Sequence, residues 1–478
     1  MKLMKKSRKI IYPEMIVFLC IVICFFVASL DYWKYAMIAK STVPIMDYWQ
    51  WIATYGQKVF DGTVTFADYF NSDLGEHIQP VAMAINFGML KLTDFNVAPM
   101  VEWGIALRIV VAAFVLLYFL WRQRTYEKQN YILLLICSVG IFMSMLNYNQ
   151  WELTIEPFSI GNIFRVACYL ISFFQVEAFV GSMESRSAKR NIANAVLLGC
   201  CCALQTLLVG GAYFVGHLIA IGLAMLYVLW QRRVVYKVYF WPMAVWAVIS
   251  FVSACIYYYL LSQRGSSSAG EPFSLNDIVF LAQAVCFFWG GLFVHNQSME
   301  QYGNSLCMLI GAATLIYSIY ILIRYMKKDN LKNNLFPVIC VLYALVLSVA
   351  ISFGRLGKFD ASYLSASRYT VESSIGLLGI VWMSYRVCAE SAVKSAKVGH
   401  GLCVCIALVM LFFAAKVEKN MAPHRKIYND SLAEMMTHLE DYSDDELAVF
   451  QANSPEYVRY SVEFFKENNL SIFSEPNS

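Results

Sequence analysis

The chain has 478 residues, 59% of them hydrophobic and only 15% charged, with a formal net charge of +4 and a mean hydropathy of +0.54. Apolar runs of roughly 17 to 24 residues recur up to about residue 417, each long enough to cross a bilayer's hydrocarbon core, which excludes a soluble globular protein. Most of the 14 cysteines lie inside those runs, including "CCC" at 200–202, where a thiol behaves as a small hydrophobe. No CxxC or Cys/His spacing points to a metal site. No metal, no cofactor and no nucleic-acid partner is expected.

The first run, "IVFLCIVICFFVASL", follows the basic "MKLMKKSRK" and lacks a small-residue cleavage site before "DYWKYA", the pattern of a retained signal-anchor helix. Positive charge in short loops stays cytoplasmic. "RQRTYEK", "ESRSAKR", "QRRVVYK", "RYMKKDNLK" and "RVCAESAVKSAK" are therefore placed inside, with the N-terminus. The crossings that fit are 12–30, 98–121, 130–147, 161–182, 191–209, 211–230, 238–261, 304–325, 336–353, 369–388 and 399–417. The expected fold is an all-α polytopic membrane protein of about 11 crossings, with its C-terminus extracytoplasmic.

Two apolar stretches break this pattern. If 78–94 crossed, "RQRTYEK" would be pushed outside; if 277–294 crossed, so would "RYMKK". Both are expected to lie along the outer surface. The stretch 47–60 joins them, with Trp49, Ile52, Ala53, Val59 and Phe60 on one face at helical spacing. In 78–94 the corresponding face is Ile78, Val81, Ala82, Ile85 and Met89. The segment 31–97 thus forms a first outer loop with two juxtamembrane helices, and 1–417 forms one transmembrane unit. The tail 418–478 carries roughly seven more acids than bases. Its helical pattern and aromatics predict a small cap on the outer face. No internal repeat is visible, which weighs against an inverted-repeat transporter.

A first helix, an outer Asp, an amphipathic helix, a His, a second interfacial helix and a crossing with Arg near its start follow one another. This order resembles the GT-C superfamily of membrane glycosyltransferases that use lipid-phosphate sugars. "EHIQPVAMAINFGMLKLTDFNVAPMVEWGIALRI" is similar to the superfamily's second juxtamembrane helix, with His77 and Pro80, and the Arg-bearing crossing after it. "GRLGKFDASYLSASRYTVESSIGLL" resembles the Gly-Arg and Ser-Arg-Tyr element of bacterial branch-adding members such as O-antigen glucosyltransferases. The resemblance covers the whole topology, and its motifs are short.

Asp47 has two readings. "DYWQ" is a capping box, with Asp47 as N-cap and Gln50 at the third helical position. The superfamily also carries its catalytic carboxylate at this point, where it accepts the proton of an acceptor hydroxyl attacking the anomeric carbon. Asp73, Glu76 and His77 read either as a solvated loop with a capped helix start or as part of the site. There Glu76 assists catalysis, and Asp73 and His77 bind substrate. Arg355, Lys358 and Arg368, with Tyr369, lie in an outer loop against the basic-inside pattern. A structural salt bridge to Asp360 or Glu372 is one account. The other is a phosphate clamp, since guanidinium groups match phosphate oxygens bidentately. Glu102, Arg108 and Arg165 fall in or near apolar runs, where charge faces a cavity or a partner. "NYNQWELTIEPFSIGN" offers Glu152, Glu156 and Trp151, the ring serving as a sugar platform or as an interfacial anchor. His295 is a weaker candidate.

The resemblance implies an inverting transferase that moves a hexose, such as glucose, from polyprenyl phosphate to a lipid-linked or cell-surface polysaccharide. The work would be done on the outer face of the cytoplasmic (inner) membrane. Its partners are then the donor lipid, a glycan acceptor, membrane lipids, a small flippase and a donor-synthesising transferase. The rival is a non-enzymatic transporter or flippase of polysaccharide or lipid-linked oligosaccharide, which calls for charges in mid-membrane and paired helical repeats.

Overall fold

The computed structural model describes residues 11–71, 78–124, 130–209, 213–263, 274–327, 334–390 and 394–474. Among the described residues all regular secondary structure is helical. Nine of these helices are long and apolar enough to cross a membrane, and they make the chain a multi-pass membrane protein. They include α1 (Ile11–Ala39), α5 (Ala98–Gln123), α6 (Tyr131–Met145) with the turn after it, and α8 (Ser159–Ser182). Farther along come α10 (Tyr213–Gln231), α11 (Tyr236–Ser262), α14 (Asn304–Met326), α15 (Leu335–Arg355) and α17 (Lys394–Thr437). The segments 191–209 and 369–388 are helical too, as α9 (Ala188–Val209) and α16 (Thr370–Glu390).

The helix α16 is the axis of the bundle. Every residue from Val371 to Cys388 is buried, so its charges and hydroxyls face protein and its composition need not suit lipid. Glycines let its neighbours approach. A side chain at Gly376 would overlap Trp289 and Ala344, and one at Gly379 would overlap the Pro337 carbonyl. Small residues at such crossings bring helix backbones into van der Waals contact.

The bundle has two unlike ends. Loops around Arg122, Arg186, Lys189, Arg190, Arg232 and Arg324 form a basic end, where Arg122 pairs with the buried Glu177 at 2.8 Å. The other end is capped. There the first long connection forms α2 (Asp47–Asp61), α3 (Phe66–Asn71) and α4 (Pro80–Leu92). The tail folds back over α2 through α18 (Pro455–Asn468). Between them lies a second hydrophobic core that joins Trp49, Phe87, Phe95, Leu432, Phe450 and Phe465. Trp49 meets Phe450 edge-on at 5.2 Å.

The two juxtamembrane helices form at the expected places, but their faces differ from expectation. On α2 the buried residues are Tyr48, Trp49, Trp51, Ile52, Gly56 and Val59, while Phe60 is largely exposed. Tyr48 and Trp51 pack on Phe158, and Trp49 packs on the tail. The helix is therefore sandwiched and not laid on one surface. On α4 the buried set is Pro80, Ala82, Met83, Asn86, Phe87 and Leu90, with Val81, Ile85 and Met89 only half-buried.

The segment 277–294 departs further. As α12 (Leu275–Gly290) it runs against α14, with Gly290 beside Cys307 and Gly311 beside Cys286. The pairing is antiparallel and too close for any side chain at either glycine. Its last turn is fully buried while most of its first half is exposed, so it enters the bundle by its C-terminal end along α14. No break marks the start of the tail: α17 runs 44 residues through Glu418 to Thr437, with Pro423 inside it.

Candidate functional site

The connection after α6 is held by its own carboxamides. Asn147 caps a single turn, Tyr148–Gln150, by accepting from the Asn149 amide at 3.0 Å. Its Nδ2 donates to the Leu292 carbonyl, and Asn149 Nδ2 donates to Gly291, both at 3.0 Å. Gln150 Nε2 donates to Ser374 Oγ on α16 at 2.7 Å. Arg108 finds its partners here, donating to Gln150 Oε1 and, at 3.0 Å, to the Leu153 carbonyl. The polar run "NYNQ" is thus spent on fixing backbone, and it presents the short helix α7 (Glu152–Ile155) rigidly at the capped end.

Glu152 and Arg368 meet at that point. Arg368 Nη2 lies 2.9 Å from Glu152 Oε1, and the Arg368 amide donates to Oε2 at 3.1 Å. The Glu152 amide in turn donates to Ser367 Oγ at 2.9 Å. Arg355 Nε donates to the Tyr369 hydroxyl at 3.0 Å. The loop between the two arginines stacks Phe359 on Tyr363, ring centres 4.1 Å apart and 7° from parallel. Arg355 lies over Phe359 and Arg368 over Tyr363, each 5.6 Å from the ring centre. Two guanidinium groups are therefore held at the ends of one aromatic stack, as cation–π contacts favour.

Among the described residues, Arg368 does not take the expected Glu372 as its partner. Glu152 is the carboxylate bound by Arg368, and Glu372 is taken by Arg165 at 2.6 Å and by the Tyr343 hydroxyl at 2.8 Å. Glu102 pairs with Lys40. Lys358 is exposed at the edge of the loop. Burial works against the Arg368 cation, but Glu152 together with Tyr363, Tyr369 and Tyr213 outweighs that cost and holds its pKa above the ordinary value. Glu156 is the opposite case. Burial, and then the neighbouring Glu152 charge, raises its pKa well above the usual carboxylate range, although Arg425 and Arg368 pull the other way. Its Oε2 is buried with no hydrogen-bond partner among the described residues, as is Arg368 Nε.

Two participants were missed in the sequence, Glu418 and Arg425, because a charged stretch beyond the last apolar run reads as a solvated tail. Glu418 is fully buried. It accepts from the Tyr35 hydroxyl at 2.6 Å, lies 2.6 Å from His295 Nε2, and receives Arg425 through Nε at 2.6 Å and Nη2 at 2.9 Å. Arg425 also lies over Trp151, its guanidinium carbon 3.6 Å from the ring centre. That face of Trp151 is therefore covered by a guanidinium and is not an open sugar platform. Glu418→Ala strands Arg425 and His295 without their carboxylate, and breaking a buried pair from one side costs roughly 3–5 kcal/mol. A marked fall in the thermal midpoint of the purified protein is expected, with Glu418→Gln milder; unchanged melting in both would remove the network from the stability of the fold.

Asp47 is the first residue of α2, and the N-cap is Met46, at φ 50° and ψ −127°. The Asp47–Gln50 capping box is therefore not formed. Gln50 instead accepts from Asn453 Nδ2 of the tail at 3.0 Å. Asp47 is half-buried. Its neighbours are tied on both sides: the Met46 amide donates to the Phe450 carbonyl at 3.1 Å, and the Tyr48 hydroxyl to Pro157 at 3.0 Å. Asp47 thus lies at the junction of the tail with the loop that carries Glu152 and Glu156. Asp73, Glu76 and His77 lie outside the described residues.

An apolar cavity of about 540 Å3 lies between α14, α16 and α17, lined by Leu309, Thr314, Leu377, Val381, Cys403 and Ala407, with Phe293 from the capped end. Among the described residues no group of three or more His, Cys, Asp or Glu side chains is placed to hold a metal ion. No protein-family model and no curated protein matches this chain.

Proposed function

We propose that this chain is an inverting glycosyltransferase of the GT-C type that moves a hexose from polyprenyl phosphate to a lipid-linked or cell-surface polysaccharide. The capped end would face outwards from the cytoplasmic membrane, with eleven crossings, the N-terminus inside and the tail outside. The observation that carries the reading is the pair Arg355 and Arg368, fixed by one aromatic stack beside Glu152 and Glu156. Guanidinium groups at this level suit a lipid phosphate, whose tail is buried while its sugar reaches water. The basic loops gather at the opposite end, as cytoplasmic loops do.

In this mechanism Arg368 and Arg355 bind the phosphate and stabilise the charge that develops as it leaves. Asp47 accepts the proton of the acceptor hydroxyl as its oxygen attacks the anomeric carbon. The bond to phosphate oxygen breaks in the same displacement, the phosphate departs with the electron pair, and the anomeric centre inverts. The apolar cavity beside α16 offers a place for part of the polyprenyl chain. The test uses purified protein in detergent with radiolabelled polyprenyl-phosphate hexose and lipid-linked polysaccharide from the source cells. Label should pass to the acceptor without a sealed membrane. A transporter would transfer none, and that result would overturn the reading.

A further inference from the structure

The flank of the bundle between α1, α6 and α17 holds a cavity of about 430 Å3 that the proposed reaction does not use. All three elements run towards the capped end there, and all three change character at the same height. On α1, Ala28 gives way to Asp31, with Lys34 one turn further on. Met143 and Leu146 lead to Tyr148, and on α17 Phe412 and Ala415 lead to Lys416, Lys419 and Asn420. Phe412 lines the cavity and is itself 64% exposed, as Phe26 on α1 is 60% exposed. The cavity therefore opens on the apolar flank that a bilayer covers, with its polar half at the level of the lipid headgroups.

The charges in that half do not balance. Lys419 Nζ donates to both oxygens of Asp31, at 2.9 and 2.7 Å, and the Tyr148 hydroxyl donates to Asp31 Oδ2 at 2.7 Å. Lys34 also acts on this carboxylate. Lys416 is exposed and has no ion pair among the described residues. Two lysines thus share one carboxylate whose hydrogen bonds are already committed, and a third stands beside them with no carboxylate of its own among the described residues. Loops at this end of the bundle are otherwise not the basic ones, so charge in short loops does not account for the lysines.

We propose that this cavity binds the headgroup of an anionic phospholipid. The phosphate lies between Lys416, Lys419 and the Asn420 amide, and the start of one acyl chain lies along Phe412, Met143 and Leu146. The volume is in the range of small-molecule sites, roughly 300–1,000 Å3, which suits a headgroup and the first carbons of a chain but not a whole lipid. The proposal does not depend on glycosyl transfer.

Native mass spectrometry on the full-length protein in detergent tests it, with phosphatidylglycerol and phosphatidylcholine of the same chains titrated separately. Phosphatidylglycerol should bind the wild type more tightly. Lys416→Gln should weaken that binding by about fivefold, the worth of one lysine near a lipid surface, and Lys416→Gln/Lys419→Gln should weaken it further. Neither variant should alter phosphatidylcholine binding. Lys426→Gln, whose lysine pairs with Asp430 at 2.7 Å elsewhere on α17, should change nothing. The double variant also cuts the tie to Asp31, so Lys416→Gln, which breaks no ion pair among the described residues, carries the decision. Equal binding of the two lipids by the wild type, or unaltered phosphatidylglycerol binding by Lys416→Gln, would overturn the proposal. So would binding of soluble glycerol phosphate as tight as that of the lipid, which would make this a plain anion site.

Discussion

Asp47→Asn is expected to lower glycosyl transfer by about two orders of magnitude or more, within the range for losing a general base, while the protein stays folded. The substitution keeps the size and shape of the side chain at the first position of α2. At the start of the helix the change removes a negative charge near the N-terminus, worth typically 0.3–1 kcal/mol at the surface. That is too little to unseat a helix held by Trp49 and Trp51 in buried aromatic contacts on two sides. A large loss of rate would therefore report chemistry. It should appear in kcat with little change in donor KM, since the amide still fills the site but cannot take a proton. Gln50→Ala is the matched control. It removes the contact with Asn453 in the same turn of α2 and should leave turnover near normal. If Asp47→Asn and Gln50→Ala behave alike, Asp47 serves only the helix start.

Much of this architecture was legible in the sequence because a bilayer imposes simple rules. Runs long enough to span, separated by basic loops, placed helices such as Ala98–Gln123 and Leu335–Arg355 within a few residues. The amphipathic spacing of 47–60 found α2 as well. Its facing was not legible, because the side bearing Trp49 is covered by Phe450 and Phe465, some four hundred residues downstream. The charge rule kept 277–294 out of the crossings, and α12 is too short to count among the candidate spans, but the rule could not see that Gly290 and Gly311 let α12 dock closely on α14. Within the site, Arg355 and Arg368 stood out as cations against the local pattern, and Glu152 as an acid in a short polar loop. Arg108 and Arg165 were recognisable as charges in need of partners, but Gln150 and Glu372 come from other elements. Glu418 and Arg425 gave no signal, because the helix that carries them leaves the apolar layer before it reaches the site.

Arg368→Ala is expected to reduce transfer by about 100-fold or more, the scale seen when one preorganised donor to a developing anion is removed. Arg368→Lys should fall between, because an ammonium keeps the charge but not the planar fork that binds two oxygens at once. Structure complicates the simple variant. Arg368 also neutralises Glu152, whose side chain is only 8% exposed, so Arg368→Ala leaves a nearly buried carboxylate unpaired and weakens the fold. A second change separates the two roles. In Arg368→Ala/Glu152→Gln neither charge remains, so the thermal midpoint should recover towards that of the wild type. If Arg368 serves only to balance Glu152, transfer should recover with it. If Arg368 acts on the donor phosphate, transfer should stay low in the well-folded double variant. Kinetics at several donor concentrations then distinguish two cases. A clamp that tightens as phosphate leaves loses rate at saturating donor, whereas one that holds only the ground state loses apparent affinity. Arg355→Ala should show the same signature more weakly, since its guanidinium is shared with the Tyr369 hydroxyl. Wild-type kinetics from a folded Arg355→Ala protein and from the double variant would dismiss the clamp, and with it the observation on which the glycosyltransferase reading rests.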